Sequence, residues 1–387
     1  METGFREGVD KDLLSRWGVD ALLVAGADSL VYLFNLEFPF STQFPEKPVL
    51  VLSVKGRDPL LYCPFEFRRA ALDQGWKAEI VHYSDGLQDP WATAARTLSE
   101  RINASGAGGI TVGCELRRIP EVFFAALREG CGKARWKGID GPLDDLRSEK
   151  SPAEVGHLKE AAEQLEYGLV GALQHLEGSL EENGYTLAEF CERIRVHVYE
   201  SGGTASGLSA AAAGTGKTLW YSLPRGKFIP GELVRLEASS RYKGWWAVTS
   251  RMITLGEADA LQQRSFRENM LLRNRALELL VPGTTGAEIF HAVHDLAASE
   301  GIPFRDEFGL GHGIGTAERE SPFLSPDDDT KLREGMCLVL AVYTEGPGRE
   351  LICVKDTYCL QAAGPLCLSA YFSWDTLYEV TGFRSAH

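Results

Sequence analysis

The sequence predicts two layered domains, an α/β domain over residues 1–149 and an α+β domain over residues 150–387. Three observations lead there. A chain of 387 residues is long for a single core. Up to about residue 149, short apolar runs alternate with helical stretches, the pattern of an α/β layer structure. From Ser151 onward, long helices are grouped with long strand-like runs, an α+β arrangement.

In the first domain, a helical segment over Lys11–Trp17 leads into the apolar run Gly18-Val-Asp-Ala-Leu-Leu-Val-Ala25. Further strands are predicted at Pro48–Val54, Leu60–Cys63, Ala78–Val81 and Ile110–Cys114. Helices near Arg68–Gln74, Thr93–Ile102 and Pro120–Gly130 separate several of these. Ser105-Gly-Ala-Gly-Gly109 reads as a loop, because no glycine-rich turn opens a helix directly after a strand there.

The second domain starts at a capping signal. Ser151 stands at an N-cap, Pro152 at the first helical position and Glu154 three residues after the cap. Leu158, Ala161, Leu165, Leu169 and Leu173 then keep helical spacing. Helices are also expected over Leu187–Tyr199, over Phe266–Leu280, and over Ala287–Ala298 behind a Thr285 cap. Leu233–Glu237, Gly244–Ile253, Met336–Val342 and Leu351–Cys359 are strand-like. The segment from about 361 is an extension whose aromatics Tyr371, Phe372, Trp374, Tyr378 and Phe383 suit covering a core or a dimer face.

Composition narrows the function classes. Apolar content of 44% and charged content of 24% are those of a soluble globular protein. The net charge of -14 disfavours nucleic acid and anionic membranes as partners. No apolar stretch approaches the ~20 residues of a membrane helix, and the N-terminus shows no signal region. The eight cysteines form neither a Cys-x-x-Cys pair nor a zinc spacing and read as buried thiols. A reducing, cytoplasmic setting is expected.

The most telling local pattern is Gly311-His-Gly-Ile-Gly315. Glycines on both sides let backbone approach a ligand closely beside the His312 imidazole. With this motif, the Ser-Pro-Ala-Glu helix start and the Pro-Gly punctuation, residues from about 150 to 360 resemble the creatinase / methionine aminopeptidase / proline-dipeptidase family of pita-bread proteins. Residues 1–149 resemble the N-terminal domain of its creatinase and proline-specific members. The resemblance implies an α/β N-terminal domain, a pita-bread C-terminal domain and a homodimer.

In that family two Asp, one His and two Glu hold two divalent ions that activate a bridging water. Here the turn Pro230-Gly-Glu-Leu-Val234 sets Glu237 at the first ligand position. Tyr242-Lys-Gly-Trp-Trp-Ala-Val-Thr-Ser-Arg251 sets Val248 at the second, and His312 is retained. Gly335-Met-Cys-Leu-Val-Leu-Ala-Val-Tyr343 sets Ala341 at the fourth, and Cys353-Val-Lys-Asp-Thr357 sets Lys355 at the fifth. Three further family histidines become Trp220, Phe308 and Arg319. One carboxylate and one imidazole cannot hold a dinuclear centre, so neither a catalytic metal nor another cofactor is expected. The Lys355 ammonium is expected in the former metal volume, paired with Glu237, or alternatively extended to solvent.

Two readings of function follow. Creatinase-like members of the family cleave carbon–nitrogen bonds without metal. By that resemblance this chain would be a metal-independent hydrolase of a small amino-acid-derived or cationic compound. His312 would transfer the proton, and Glu237 or Glu320 would act as base or nucleophile. Arg319 and Lys355 would hold substrate charge, with Trp220, Tyr221, Trp245, Phe308 and Tyr343 as aromatic walls. The alternative is a catalytically inactive homologue that binds a small molecule, peptide or protein partner.

Weaker patterns carry less. Ala211-Ala-Ala-Gly-Thr-Gly-Lys-Thr218 lacks the first glycine of a phosphate loop, and Asp327-Asp-Asp329 lacks the remaining spacing of a calcium loop. His291 and His294 suit a helix surface or a packing role, and Glu345 and Arg349 sit in a Gly-Pro-rich turn that the sequence does not place relative to the site.

Overall fold

A computed structural model describes residues 11–38, 46–84, 86, 88–106, 109–179, 185–212, 226–370 and 375–381. The chain divides into two compact units, Met1–Arg147 and Ser148–His387.

Elements of the first unit are, in order, α1 (Lys11–Trp17), β1 (Ala21–Val24), α2 (Ala27–Phe34), β2 (Leu50–Val54), β3 (Leu60–Pro64), α3 (Phe65–Asp73), β4 (Glu79–Tyr83), α4 (Pro90–Asn103), β5 (Thr111–Cys114), α5 (Glu121–Gly130), β6 (Arg135–Gly138) and α6 (Asp140–Ser148). The strands form one sheet in the order β4-β3-β2-β1-β5-β6. β1, β5 and β6 run parallel, while β2 runs antiparallel to β1 and β3. β1 is apolar throughout because both its faces are covered, as its complete burial shows. Three elements were not legible in the sequence. α2 starts at Gly26 without a side-chain cap, so no start signal precedes it. β6 is largely exposed and polar, so it shows no apolar run. α6 carries Gly141 and Pro142 in its first turn, residues that read as a break.

The second unit contains α7 (Pro152–Ser179), α8 (Leu187–Glu200), β7 (Thr204–Ala212), β8 (Leu233–Tyr242), β9 (Trp245–Leu255), α9 (Ala260–Leu279), α10 (Gly286–Glu300), β10 (Gly311–Gly313), β11 (Glu320–Phe323), β12 (Cys337–Glu345), β13 (Leu351–Gln361), β14 (Gly364–Cys367) and β15 (Tyr378–Val380). The expected capping box is present: Ser151 N donates to Glu154 Oε2 at 2.7 Å, and Glu154 N to Ser151 Oγ at 3.4 Å. Thr285 caps α10 in the same reciprocal way with Glu288.

The main path of the sheet runs β11-β10-β12-β13-β9-β8-β7, with β14 added on β13 and β15 on β9. Even-numbered residues of β8 and β12 point to the helices. Val234, Leu236 and Ala238 pack under Leu165, Leu169 and Phe190 of α7 and α8. Leu338, Leu340 and Val342 pack under Leu272, Ile289 and Phe290 of α9 and α10. Because strand side chains alternate, the odd-numbered residues of these strands fall on the opposite face. That face carries the candidate site.

The extension from about 361 joins the sheet. Tyr378, Glu379 and Val380 pair in parallel with Ile253, Thr254 and Leu255, and Tyr378 Oη donates to Glu177 Oε1 at 2.7 Å. Tyr378 thus covers the core; Tyr371, Phe372, Trp374 and Phe383 lie outside the described residues.

Candidate functional site

Register brings the site together. Glu237 on β8 stands opposite Ser250 on β9, Ser250 opposite Lys355 on β13, and Lys355 opposite Ala341 on β12. Cross-strand partners project to the same face, so four distant segments meet in one row. One step along, Ser239 faces Val248 on one side and Tyr343 faces Cys353 on the other. β10, inserted beside β12 with His312 opposite Val339, adds the imidazole. Gly311 must be glycine. Its φ is +143°, and a Cβ there would lie 1.9 Å from Val339 O.

The Lys355 ammonium is in direct contact with Glu237 Oε1, as one of the two sequence expectations had it. Tyr343 Oη donates to the same oxygen at 3.1 Å, and the ammonium sits 5.4 Å from the centre of the Tyr343 ring. Arg235 Nε lies 3.4 Å from Glu237 Oε2. Burial alone would raise the Glu237 carboxyl, but Lys355 and Arg235 outweigh it and hold the group below its ordinary value. Burial likewise opposes the Lys355 charge, and contact with Glu237 reverses this and raises its pKa.

His312 is buried, and its Nδ1 lies 3.0 Å from Gly313 O. A carbonyl oxygen only accepts, so Nδ1 carries the proton and Nε2 holds the lone pair. Burial first, then the nearby Arg319 and Lys355 cations, push its pKa down to about 3. The folded state therefore stays neutral at His312 while the unfolded chain takes up a proton below about 6.5. Stability contributed by this group is full above about pH 6.5. It falls by up to roughly 1.4 kcal/mol per pH unit as pH drops from there toward 3. Urea titrations at successive pH values should show that slope reduced in His312→Phe, and an NMR titration should show no His312 inflection between about pH 5 and 8.

Among the described residues, Glu237, Ala238, Ser239, Val248, His312, Glu318, Arg319 and Lys355 line a partly open cavity of about 20 Å³. Glu318 was missed by the sequence reading, although it immediately precedes Arg319. Burial raises its pKa against a hydrogen bond from Ser239. Arg235 and Ser239 were missed too, yet both lie two residues from Glu237 and so share its face.

Other expected residues stand elsewhere. Glu320 is no free base: its carboxylate binds Lys150 Nζ at 2.5 Å, with both side chains buried, and it is not in the cavity wall. Trp245 is buried against His157, with ring centres 5.8 Å apart, and packs away from the cavity. Its neighbour Trp246, on the opposite face of β9, lies 5.7 Å from the Arg241 guanidinium. Phe308 is not in the cavity wall and packs on Tyr343, 4.9 Å away centre to centre. Trp220 and Tyr221 lie outside the described residues.

The donor set does not fit a two-metal centre. The methyl groups of Val248 and Ala341 offer no lone pair, and the Lys355 ammonium already touches Glu237 where a cation would bind. Among the described residues, no group of three or more His, Cys, Asp or Glu side chains is arranged to hold a metal ion.

Comparison with known proteins agrees with the architecture. Metallopeptidase family M24 matches residues 156–362, and the creatinase/prolidase N-terminal domain matches residues 11–148. The putative dipeptidase YkvY of Bacillus subtilis is 24% identical over 350 residues, covering 87% of this chain and 88% of that protein. An Xaa-Pro dipeptidase of Pyrococcus horikoshii is 24% identical over 249 residues, 64% of this chain and 69% of its own length. Among solved structures, an X-Pro aminopeptidase of Thermotoga maritima superposes with a TM-score of 0.81 at 19% identity, over 95% of this chain and 98% of that one. The N-terminal domain of FACT complex subunit SPT16 from chickpea superposes with a TM-score of 0.72 at 16% identity, over 95% and 96%. With its creatinase/prolidase N-terminal domain, its pita-bread second domain and a site row reading Glu237, Val248, His312, Ala341 and Lys355, this chain belongs to metallopeptidase family M24 as a divergent member.

Proposed function

We propose that this chain is a non-hydrolysing member of the family, a homodimeric binding protein whose ancestral reaction centre is closed by an internal ion pair. The observation that carries this reading is the Lys355–Glu237 contact inside a cavity of about 20 Å³. Such a space admits about one water, whereas ligand pockets usually measure roughly 300–1,000 Å³. Glu237 is neutralised by two cations, and His312 is neutral with a pKa near 3, too weak a base for efficient proton transfer at neutral pH. The fold itself occurs both in peptidases and in a chain named as a subunit of a larger complex, so it prescribes neither role. A peptide or protein partner fits a closed centre better than an engulfed substrate does.

One observation favours the metal-independent hydrolase as a second reading. Glu318, with its raised pKa, stands beside His312 in the cavity wall and is a carboxyl able to donate a proton. Xaa-Pro dipeptides and small guanidino and amidino compounds, incubated with and without manganese, cobalt or zinc, separate the readings by mass-spectrometric product detection. No product above the protein-free blank is expected. Turnover lost in Glu318→Gln would establish the second reading; turnover abolished by chelation would overturn both. Light scattering at the dimer mass is the expected result for assembly.

A further inference from the structure

Cys337 and Cys359 stand directly opposite each other on β12 and β13. Odd-numbered residues of β12 direct their backbone groups away from β13: Ile314 N donates to Cys337 O, and Ala341 N to Leu310 O. Even positions bond across to β13, as Leu360 N to Met336 O and Gly346 N to Glu350 O show. The 337/359 pair is therefore non-hydrogen-bonded, the kind in which Cα atoms stand about 4.5 Å apart and side chains come closest. A disulfide accepts Cα separations of roughly 4.4–6.8 Å. Both thiols are buried, Cys337 Sγ donating to Gly335 O and Cys359 Sγ to Leu360 O at 3.9 Å each, and the Lys150 ammonium acts on both.

We propose that Cys337 and Cys359 are a dithiol modification site that a small hydroperoxide oxidises, reversibly, to a cross-strand disulfide. The proposal is independent of the function proposed above. Cys359, the less deeply buried of the two and the one whose pKa is lowered beside Cys337, is assigned as the nucleophile. Its thiolate attacks one peroxide oxygen, the O–O bond breaks, and hydroxide leaves, taking a solvent proton to become water. The Cys337 sulfur then attacks the Cys359 sulfenic acid; the S–S bond forms, the S–O bond breaks, and water leaves with the Cys337 proton. Two thiols and one hydrogen peroxide thus give one disulfide and two waters. A dithiol reductant returns the pair by exchange.

Mild hydrogen peroxide treatment of the whole chain, followed by alkylation in denaturant and peptide mapping, tests this. Titratable thiols should fall from eight to six, with the Cys337 and Cys359 peptides joined and then separated by dithiothreitol. Cys367→Ser, which removes the more exposed thiol, should keep the cross-link. Cys337→Ser should leave a sulfenic acid on Cys359 that dimedone captures. Cys337 and Cys359 staying alkylatable while other thiols are lost would overturn the proposal. So would over-oxidised Cys359 without a cross-link.

Discussion

Lys355→Met should destabilise the chain by about 3–5 kcal/mol at pH 7, because it strips the Glu237 carboxylate of its closest counter-charge inside the protein. The sign of the pH dependence separates this from loss of packing. In the unaltered chain the Glu237 pKa is lowered, so its contribution is full above the ordinary carboxylate range and lost as pH falls through the lowered value. Without Lys355, burial dominates and the pKa rises above the unfolded value. The penalty is then smallest in acid, where Glu237 folds protonated, and grows as pH increases toward 7. Urea unfolding between pH 4 and pH 8 should show this widening gap. Adding Glu237→Gln to Lys355→Met should recover more than half of the loss, since the buried carboxylate is then removed together with its closest cation, leaving Arg235 held by the Leu351 carbonyl. Equal stability of Lys355→Met and the unaltered chain at pH 7 would refute the buried ion pair.

Restoring carboxylates at all three altered positions, as Val248→Asp, Ala341→Glu and Lys355→Glu together, should create stoichiometric manganese or cobalt binding. At metal concentrations ~1,000-fold above the dissociation constant, stabilisation of about 4 kcal/mol is expected, seen as a metal-dependent rise in melting temperature. Lys355→Glu alone should do the opposite. It sets a second carboxylate against Glu237 while Val248 and Ala341 still offer no donor, so stability falls and no tight metal binds. Calorimetric titration of both variants decides the matter. Tight binding by the single variant would mean that Glu318 completes a donor set, and would overturn the closed ion-pair site.

Most of the second domain was legible because its signals are local. Capping boxes at Ser151 and Thr285 and the apolar spacing of α7 need no tertiary information. The Glu237–Lys355 contact was legible for a different reason. Both residues were placed by motif position, and register does the rest, with Ser250 between them. Burial and partner choice were not legible. The sequence marks Glu320 as a site carboxylate and not Glu318, whereas in the fold Glu320 binds Lys150 and Glu318 lines the cavity with His312. Trp245 and Trp246 show the same limit. Alternation states that they face opposite sides, but not which of them reaches the cavity, and Trp245 stacks on His157 from α7 instead.

The Lys355–Glu237 contact also constrains how this chain can change. A glutamate codon becomes a lysine codon by one base substitution, so a single event can delete a ligand and supply the cation that replaces the metal. The return path is not equivalent. Each single reversion meets a neighbour already adapted to the new charge, because a carboxylate at 355 would abut Glu237, and a carboxylate at 248 or 341 would enter a cavity of about 20 Å³ with no metal to neutralise it. Each one-step reversion is therefore expected to be less stable than the present chain, and only the three changes together with metal should regain that stability.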